Sequence, residues 1–198
     1  MAQGKQAKLL TSRQERAVLD HLSRTRYPVR DRVMFLLSVK AGLRAKEIAA
    51  LTWAMVTDAE RELSDAIELP DAASKGRGGR TIPMHGDLKA ALLALRETRG
   101  SEVEPHWAVV HSERSEVDGM SPGSVAVWFH RLYSTLGYDG CSSHSGRRTF
   151  ITRAARKIVE AGGSLRDVQE LAGHTSLATT QLYIQGTADA KRRVVAMI

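Results

Sequence analysis

The chain has 198 residues, of which 42% are hydrophobic and 26% are charged, enough for one well-buried globular domain. No apolar run approaches the roughly 18 residues of a membrane span, and the N-terminus lacks a signal peptide's apolar core. The single cysteine, Cys141, excludes an internal disulfide and a cysteine-built metal cage. We therefore expect a reducing, cytoplasmic compartment.

The net charge of +7 favours a polyanionic partner, although a solvated basic surface would give the same value. The distribution of charge favours nucleic acid, because six acids fall within residues 58–71 while the bases cluster elsewhere. We expect one basic face. The basic clusters lie at residues 75–80, 147–157 and 191–193.

In chain order, residues 1–9 are polar and basic, and we expect a flexible arm. Ser12 and Glu15 are typical of a capping box that begins a helix ending near Ser23. Residues 66–69 and 80–84 predict an antiparallel hairpin with a glycine-rich turn at 74–79. Further helices are predicted at residues 30–41, 44–51, 86–97, 121–136, 145–160, 164–171, 176–184 and 188–197. This pattern predicts a mainly helical α+β domain with a small sheet.

Three segments place a cationic or imidazole side chain just after a glycine or a loop residue, at the predicted start of a helix. They are residues 42–44 with Arg44, residues 142–147 with His144 and Arg147, and residues 173–176 with His174. Helix N-termini present unpaired N–H groups and the positive end of the helix dipole, so they favour anions. Together the three would form a phosphate site if they converge, which the sequence does not show.

Each candidate residue also has an ordinary structural explanation when taken alone. Arg44 and Glu47, three residues apart on a helix, could be a surface ion pair. Lys75 could be an exposed turn lysine, and His144 a structural residue at a helix start. Tyr183, between two aliphatic residues, would ordinarily be a core tyrosine. The combination in one order is the stronger observation.

That order and spacing resemble the catalytic domain of the tyrosine recombinase (phage integrase) family over about residues 10–192. The most specific part is residues 172–183, in which Tyr183 follows His174 by nine residues. The segment around Arg44 is next in specificity, and the hairpin with Lys75 is the weakest part. The resemblance implies an integrase-type catalytic domain over residues 10–185, followed by a tail helix at 186–198.

The resemblance implies a role for each matching residue. Tyr183 would be the nucleophile that cuts and rejoins DNA. Arg44 and Arg147 would clamp the scissile phosphate, and His144 would assist proton transfer and phosphate contact. His174 would donate a hydrogen bond to a non-bridging oxygen.

Lys75 would act as general acid for the 5′-hydroxyl leaving group, and Glu47 would support the site from behind. We expect Arg77, Arg80 and Arg148 to contact DNA. A phosphotyrosine bond retains the energy needed for religation, so we expect no metal, ATP or other cofactor.

These residue types suit the implied chemistry. Negative charge grows on the phosphate oxygens in the transition state, so fixed cationic donors stabilise that state more than the ground state. The planar fork of arginine can hold two oxygens at once, whereas lysine provides a point charge. Loss of one such donor typically slows a reaction by roughly 100- to 1,000-fold.

The sequence departs from the common family form in two places. Gly146 stands where an apolar residue is usual, which weakens the start of the helix, and Arg148 stands where histidine is frequent. Arg148 could compete with Arg147 for the clamp role. Relatives usually carry a separate core-binding domain before the catalytic one, whereas the catalytic pattern in this sequence begins near residue 10. We therefore expect either a minimal recombinase or a fragment, and Met1 favours the minimal recombinase.

The predicted function is site-specific recombination or integration of double-stranded DNA in the cytoplasm, at the nucleoid. Partners would be DNA, further copies in a dimer or tetramer, and accessory DNA-binding proteins. The tail would dock on a neighbouring protomer or pack on its own domain. Three alternatives remain: a type IB topoisomerase-like enzyme, a non-catalytic DNA-binding regulator, and a metalloprotein. The metalloprotein would use His106, His111, His144 and His174.

Overall fold

The structure is a computed structural model that describes residues 6–71, 79–100, 103–183 and 195–196. Its helices are α1 Ser12–Leu22, α2 Pro28–Lys40, α3 Ala45–Ala50, α4 Gly86–Thr98, α5 Pro122–Thr135, α6 Ser145–Lys157, α7 Leu165–Ala172 and α8 Leu177–Gln181. Strands β1 Ala66–Leu69 and β2 Arg80–Pro83 form one antiparallel hairpin, and β3 His111–Ser112 and β4 Ser115–Gly119 form a second. The predicted mainly helical α+β class is confirmed.

Helix α2 lies at the centre of the fold. Its residues 33–37 are apolar and fully buried, as expected for a helix that is enclosed by neighbours on all sides. It begins at Pro28, where the missing N–H costs no helical hydrogen bond. Helices α1, α3, α4 and α6 pack around it.

A smaller hydrophobic cluster lies beside this main core. Ile151 on α6 and Val168 and Ala172 on α7 form it, and Tyr183 packs against it. The loop between α2 and α3 reaches this cluster, because Gly42 lies against the ring of Phe150 on α6. Within the described residues, no helix is long and apolar enough to cross a membrane.

The β1–β2 hairpin is confirmed, with Ile67 opposite Ile82 and both side chains buried. Its predicted turn lies outside the described residues, apart from Gly79. The β3–β4 hairpin was not predicted, because a strand of two residues shows no alternating pattern.

Several predicted boundaries are shifted. The capping box of α1 is formed by Thr11 and Gln14, one residue earlier than predicted. Helix α6 ends at Lys157 and α8 at Gln181, so Tyr183 follows α8 instead of lying within it. Of the predicted tail helix, only residues 195–196 are among those described.

Residues 6–9 lie against the domain instead of forming part of a free arm. The N–H of Lys8 donates to the carbonyl of Gly140 at 3.0 Å. The Arg148 guanidinium donates to the carbonyl of Ala7 at 2.5 Å. Leu10, which follows, is 3% exposed and its N–H donates to Thr149. Residues 1–5 of the predicted arm lie outside the described part of the chain.

Gly146, the departure noted at the start of α6, marks a close approach of α6 to α2. A Cβ at this position would lie 2.8 Å from the Ser38 Cβ and 3.0 Å from the Val39 Cγ1, both on α2. Ser38 is fully buried. Glycine therefore permits packing that a larger side chain would disrupt.

We expect Gly146→Ala to lower the free energy of unfolding by about 1–3 kcal/mol through overpacking. This loss would outweigh the roughly 1 kcal/mol that alanine gains over glycine within a helix. Urea denaturation measures the change. Gly86→Ala is the matched control, because an added Cβ at this helix start has no neighbour within 4 Å. Equal stability changes in the two variants would contradict the close approach.

Candidate active site

A cavity of about 690 Å³ lies between the start of α6, the segment before α3 and the turn between α7 and α8. The predicted catalytic residues that line it are Arg44, His144, Arg147, His174 and Tyr183. The convergence that the sequence left open is therefore present. Lys75 and Arg77 lie outside the described residues.

Arg147 holds two parts of the site together. Its side chain projects from α6, and the residue is only 4% exposed. One terminal nitrogen, Nη1, donates to the carbonyl of Gly42 at 2.7 Å, and the other, Nη2, donates to that of Ala172 at 2.5 Å. Burial, followed by the charge of Arg44, lowers the pKa of Arg147 to about 9. The guanidinium therefore stays positively charged at neutral pH.

The turn after α7 has the geometry of a Schellman motif. Gly173 has φ +59°, and its N–H donates to the carbonyl of Glu170. The N–H of His174 donates to the carbonyl of Gln169 at 3.1 Å. This arrangement leaves the last carbonyls of α7 free to accept hydrogen bonds from arginine side chains.

All three predicted segments lie at the start of a helix, and residues 173–176 also follow the C-terminus of α7. Arg44 and His144 are the N-cap residues of α3 and α6, as predicted. His174 lies between two helices, after the C-terminus of α7 and two residues before Ser176, the predicted N-terminal residue and the observed N-cap of α8. The charged side chains that act on His174 are those of Arg147, Arg44 and Arg80.

Glu47 is a buried carboxylate shared by two arginines. Its Oε2 accepts the backbone N–H of Arg44 at 2.8 Å, and its Oε1 accepts Arg44 Nη1 at 2.8 Å. Arg80 donates to both oxygens at 3.0 Å. Burial alone would raise the pKa of Glu47, but the hydrogen bonds and charges of Arg80 and Arg44 lower it overall. The Arg44–Glu47 pair is thus not a surface ion pair, since the Glu47 side chain is only 1% exposed.

Arg80 lies in the interior, contrary to the prediction that it contacts DNA. Its side chain is 6% exposed, and its Nε donates to the carbonyl of Leu171 at 3.1 Å. The sequence placed it in a basic cluster, but Glu47, 33 residues earlier in the chain, draws it inward.

His174 and Tyr183 lie side by side. Their rings stack with centroids 5.6 Å apart and an angle of 25° between the planes. Nδ1 of His174 is 2.9 Å from Oγ1 of the buried Thr180, which fixes the orientation of the imidazole ring. Burial, then the charges of Arg147 and Arg44, lowers the pKa of His174 to about 4. The imidazole is therefore neutral at pH 7.

The cavity includes residues that sequence reasoning did not assign to it. Gln6, Ala7 and Lys8 line one wall beside the half-buried Arg148. Thr180 is not among the described residues that line the cavity, but it contacts His174, which a threonine in a predicted helix gives no signal of doing. Among the described residues, no three His, Cys, Asp or Glu side chains are grouped as metal ligands would be, so the histidine metalloprotein gains no support.

We expect the free energy of unfolding to fall as the pH drops from about 6.5 towards 4. In that range the unfolded chain protonates His174 at its ordinary pKa of 6.5, whereas the folded chain, with a pKa of about 4, does not. His111 should contribute to the same loss of stability, because burial, followed by the charges of Arg99 and Arg30, lowers its pKa to about 4. Urea denaturation of His174→Gln and His111→Gln should give flatter pH profiles. Wild-type slopes in both variants would contradict this assignment.

Comparison with known sequences agrees with the motifs. The sequence profile of the phage integrase family matches residues 8–189. Tyrosine recombinase XerA from Thermococcus onnurineus is 32% identical over 187 residues, covering 94% of this chain and 61% of that protein. Tyrosine recombinase XerC from Xanthomonas campestris pv. campestris is 32% identical over 156 residues, covering 78% of this chain and 44% of XerC. The chain thus spans less than two thirds of the length of these relatives.

Solved structures share the fold. The Tn1549 transposon integrase in complex with circular intermediate DNA matches with a TM-score of 0.72 and 20% identity, covering 99% of this chain and 68% of that one. The crystal structure of XerA recombinase matches with a TM-score of 0.70 and 21% identity, covering 97% and 65%. Identities this low show the fold alone, whereas the profile match spans most of the sequence. The chain belongs to the phage integrase family.

Proposed function

We propose that this chain catalyses site-specific DNA recombination, cleaving and rejoining double-stranded DNA through a 3′-phosphotyrosyl intermediate. The observation that carries the proposal is the convergence of Arg44, Arg147, His174 and Tyr183 on one cavity. The naming of similar proteins as tyrosine recombinases supports it.

In the proposed cleavage step, the hydroxyl oxygen of Tyr183 attacks the scissile phosphorus and the bond to the 5′ oxygen breaks, while His144 takes up the proton that the tyrosine hydroxyl releases. Negative charge that develops on the non-bridging oxygens is stabilised by Arg44 and Arg147. The neutral imidazole of His174 contributes a hydrogen bond. Lys75 supplies the proton that the departing 5′ oxygen takes up. Attack of a 5′-hydroxyl on the phosphotyrosine reverses these steps and reseals the strand.

The proposed partners follow from the same chemistry. The basic chain would bind double-stranded DNA at the nucleoid and would associate with further copies of itself on that DNA. Residues 186–198 would contribute to this association by docking in trans. The exposed His144 and the half-buried Arg148, at the rim of the cavity, would meet the DNA backbone.

We expect Tyr183→Phe to abolish a denaturant-stable protein–DNA adduct, because the variant lacks the nucleophilic oxygen. The substrate is a randomised pool of nicked suicide duplexes, in which the cleaved strand cannot be resealed, and gel electrophoresis under denaturing conditions detects the adduct. Tyr138→Phe, at a half-buried tyrosine outside the cavity, should retain it. An adduct that persists in Tyr183→Phe would contradict the assignment of the nucleophile.

Plasmid relaxation and DNA-binding assays, run beside the adduct assay, separate the alternative functions. Relaxation of supercoiled plasmid without strand exchange between paired inverted sites would indicate a topoisomerase-like enzyme. DNA binding by the wild-type protein with no adduct would indicate a regulator.

We expect Arg147→Ala to slow single-turnover cleavage by roughly 100- to 1,000-fold, the scale of losing one transition-state donor. DNA affinity should change only modestly, because many phosphate contacts contribute to binding. Quench-flow measures the cleavage rate and fluorescence anisotropy measures the DNA affinity, both at a temperature at which the variant is folded. Equal losses of binding and cleavage would instead assign Arg147 to DNA anchoring.

A further inference from the structure

Arg80 joins three elements of the fold. From β2, its Nη1 and Nη2 reach the two oxygens of Glu47 on α3, each at 3.0 Å. Its Nε reaches the carbonyl of Leu171 on α7 at 3.1 Å. With only 6% of its side chain exposed, Arg80 has little contact with solvent. It therefore lies behind the cavity and contacts groups that hold catalytic residues.

The turn after α7 is built around this arginine. A Cβ at Gly173 would lie 2.7 Å from Arg80 Nη1 and 3.1 Å from its Cζ. The positive φ of Gly173 and the space that the arginine needs therefore both favour glycine. His174, the next residue, depends on this packing for its position.

Arg80 and Arg44 share the hydrogen-bonding capacity of one carboxylate. Arg80 makes the two-pronged contact, while the guanidinium of Arg44 bonds to Glu47 through Nη1 alone. A guanidinium has five N–H donors, so this leaves most of the Arg44 fork for a ligand in the cavity. Without Arg80, the buried carboxylate of Glu47 would lack a partner for two of its hydrogen bonds. Arg44 would then bind it through both terminal nitrogens, which is the stronger geometry.

We propose that Arg80 is a positioning residue that, by occupying Glu47, keeps the guanidinium of Arg44 available to the scissile phosphate, and that also fixes the turn carrying His174. This inference rests on the proposed function. It adds to the pair of Arg44 and Glu47 a third member, which the sequence, through the basic cluster at residues 75–80, predicts to contact DNA.

The test is a double-variant comparison of single-turnover cleavage at saturating DNA. We expect Arg80→Met to slow cleavage by roughly 100-fold, as if one donor to the phosphate were lost, with DNA affinity nearly unchanged. Glu47→Gln should slow the wild-type reaction but speed that of Arg80→Met by about 10-fold, because a neutral amide binds Arg44 less strongly. Equal slowing by Glu47→Gln in both backgrounds would overturn the proposal.

Arg30→Met is the matched control for loss of a buried ion pair. Arg30 and Asp31 are 5% and 6% exposed and pair at 2.8 Å, away from the cavity. Arg30→Met should lose stability comparably yet cleave at the wild-type rate at saturating DNA. Slowing as large as that of Arg80→Met would show a general effect of instability and would overturn the positioning role.

Crystal structures of the variants decide the inference independently of activity. In Arg80→Met, both Arg44 terminal nitrogens should bond to Glu47, and an unchanged Arg44 would overturn the proposal. If Arg80→Met does not fold, Arg80→Lys replaces it, because one ammonium group cannot reproduce the two-pronged contact of a guanidinium with both oxygens of Glu47. The guanidinium of Arg44 should again move towards Glu47. A wild-type protein that cleaves no DNA would contradict the proposed function, and the structures would still test the role of Arg80.

Discussion

Several arginine side chains lie close together around a partly buried cavity, and the geometry of the site depends on the groups that bind them. Burial and the charges of neighbouring arginines lower the pKa of both Arg147 and His174. The Glu47 carboxylate and backbone carbonyls offset part of the repulsion between these positive charges and part of the cost of burying them. The carbonyls of Leu171 and Ala172 lie at the C-terminus of α7, the negative end of its dipole.

The described residues that line the cavity include no acid, so the compensating groups lie behind it. A phosphate bound in the cavity would place negative charge on the solvent side of the arginines, and it would neutralise the positive charge that Glu47 and the carbonyls leave uncompensated. Because Arg147 is fixed by two carbonyls and Arg44 by Glu47, these cations need not reorganise as charge grows in the transition state. Preorganisation of this kind is a large source of rate enhancement in enzymes.

The sequence predicted which residues line the cavity better than it predicted the contacts that hold them there. The order of Arg44, His144, Arg147, His174 and Tyr183 follows a family pattern, so a linear sequence suffices to find them. Local periodicity likewise predicted the helices and the β1–β2 hairpin, because amphipathic spacing and turn residues are short-range signals.

Long-range contacts could not be predicted in the same way. Arg80 in a basic cluster has the same local pattern whether it faces DNA or a buried carboxylate 33 residues away. The sequence predicts a free arm that includes residues 6–9, yet the carbonyl of Ala7 accepts a hydrogen bond from Arg148 on α6 and the N–H of Lys8 donates to Gly140. From the sequence alone Gly146 indicates a weak helix start, whereas the close approach of α2 accounts for a glycine at this position.

We infer that this arrangement of charge serves a covalent step at Tyr183. The most direct measurement is mass spectrometry of the tryptic peptides from the protein–DNA adduct after nuclease digestion. We expect a nucleotide mass on the peptide of residues 167–191, whose single tyrosine is Tyr183, with fragment ions locating it on that side chain. A nucleotide on any other peptide, or on His174 within this one, would contradict it.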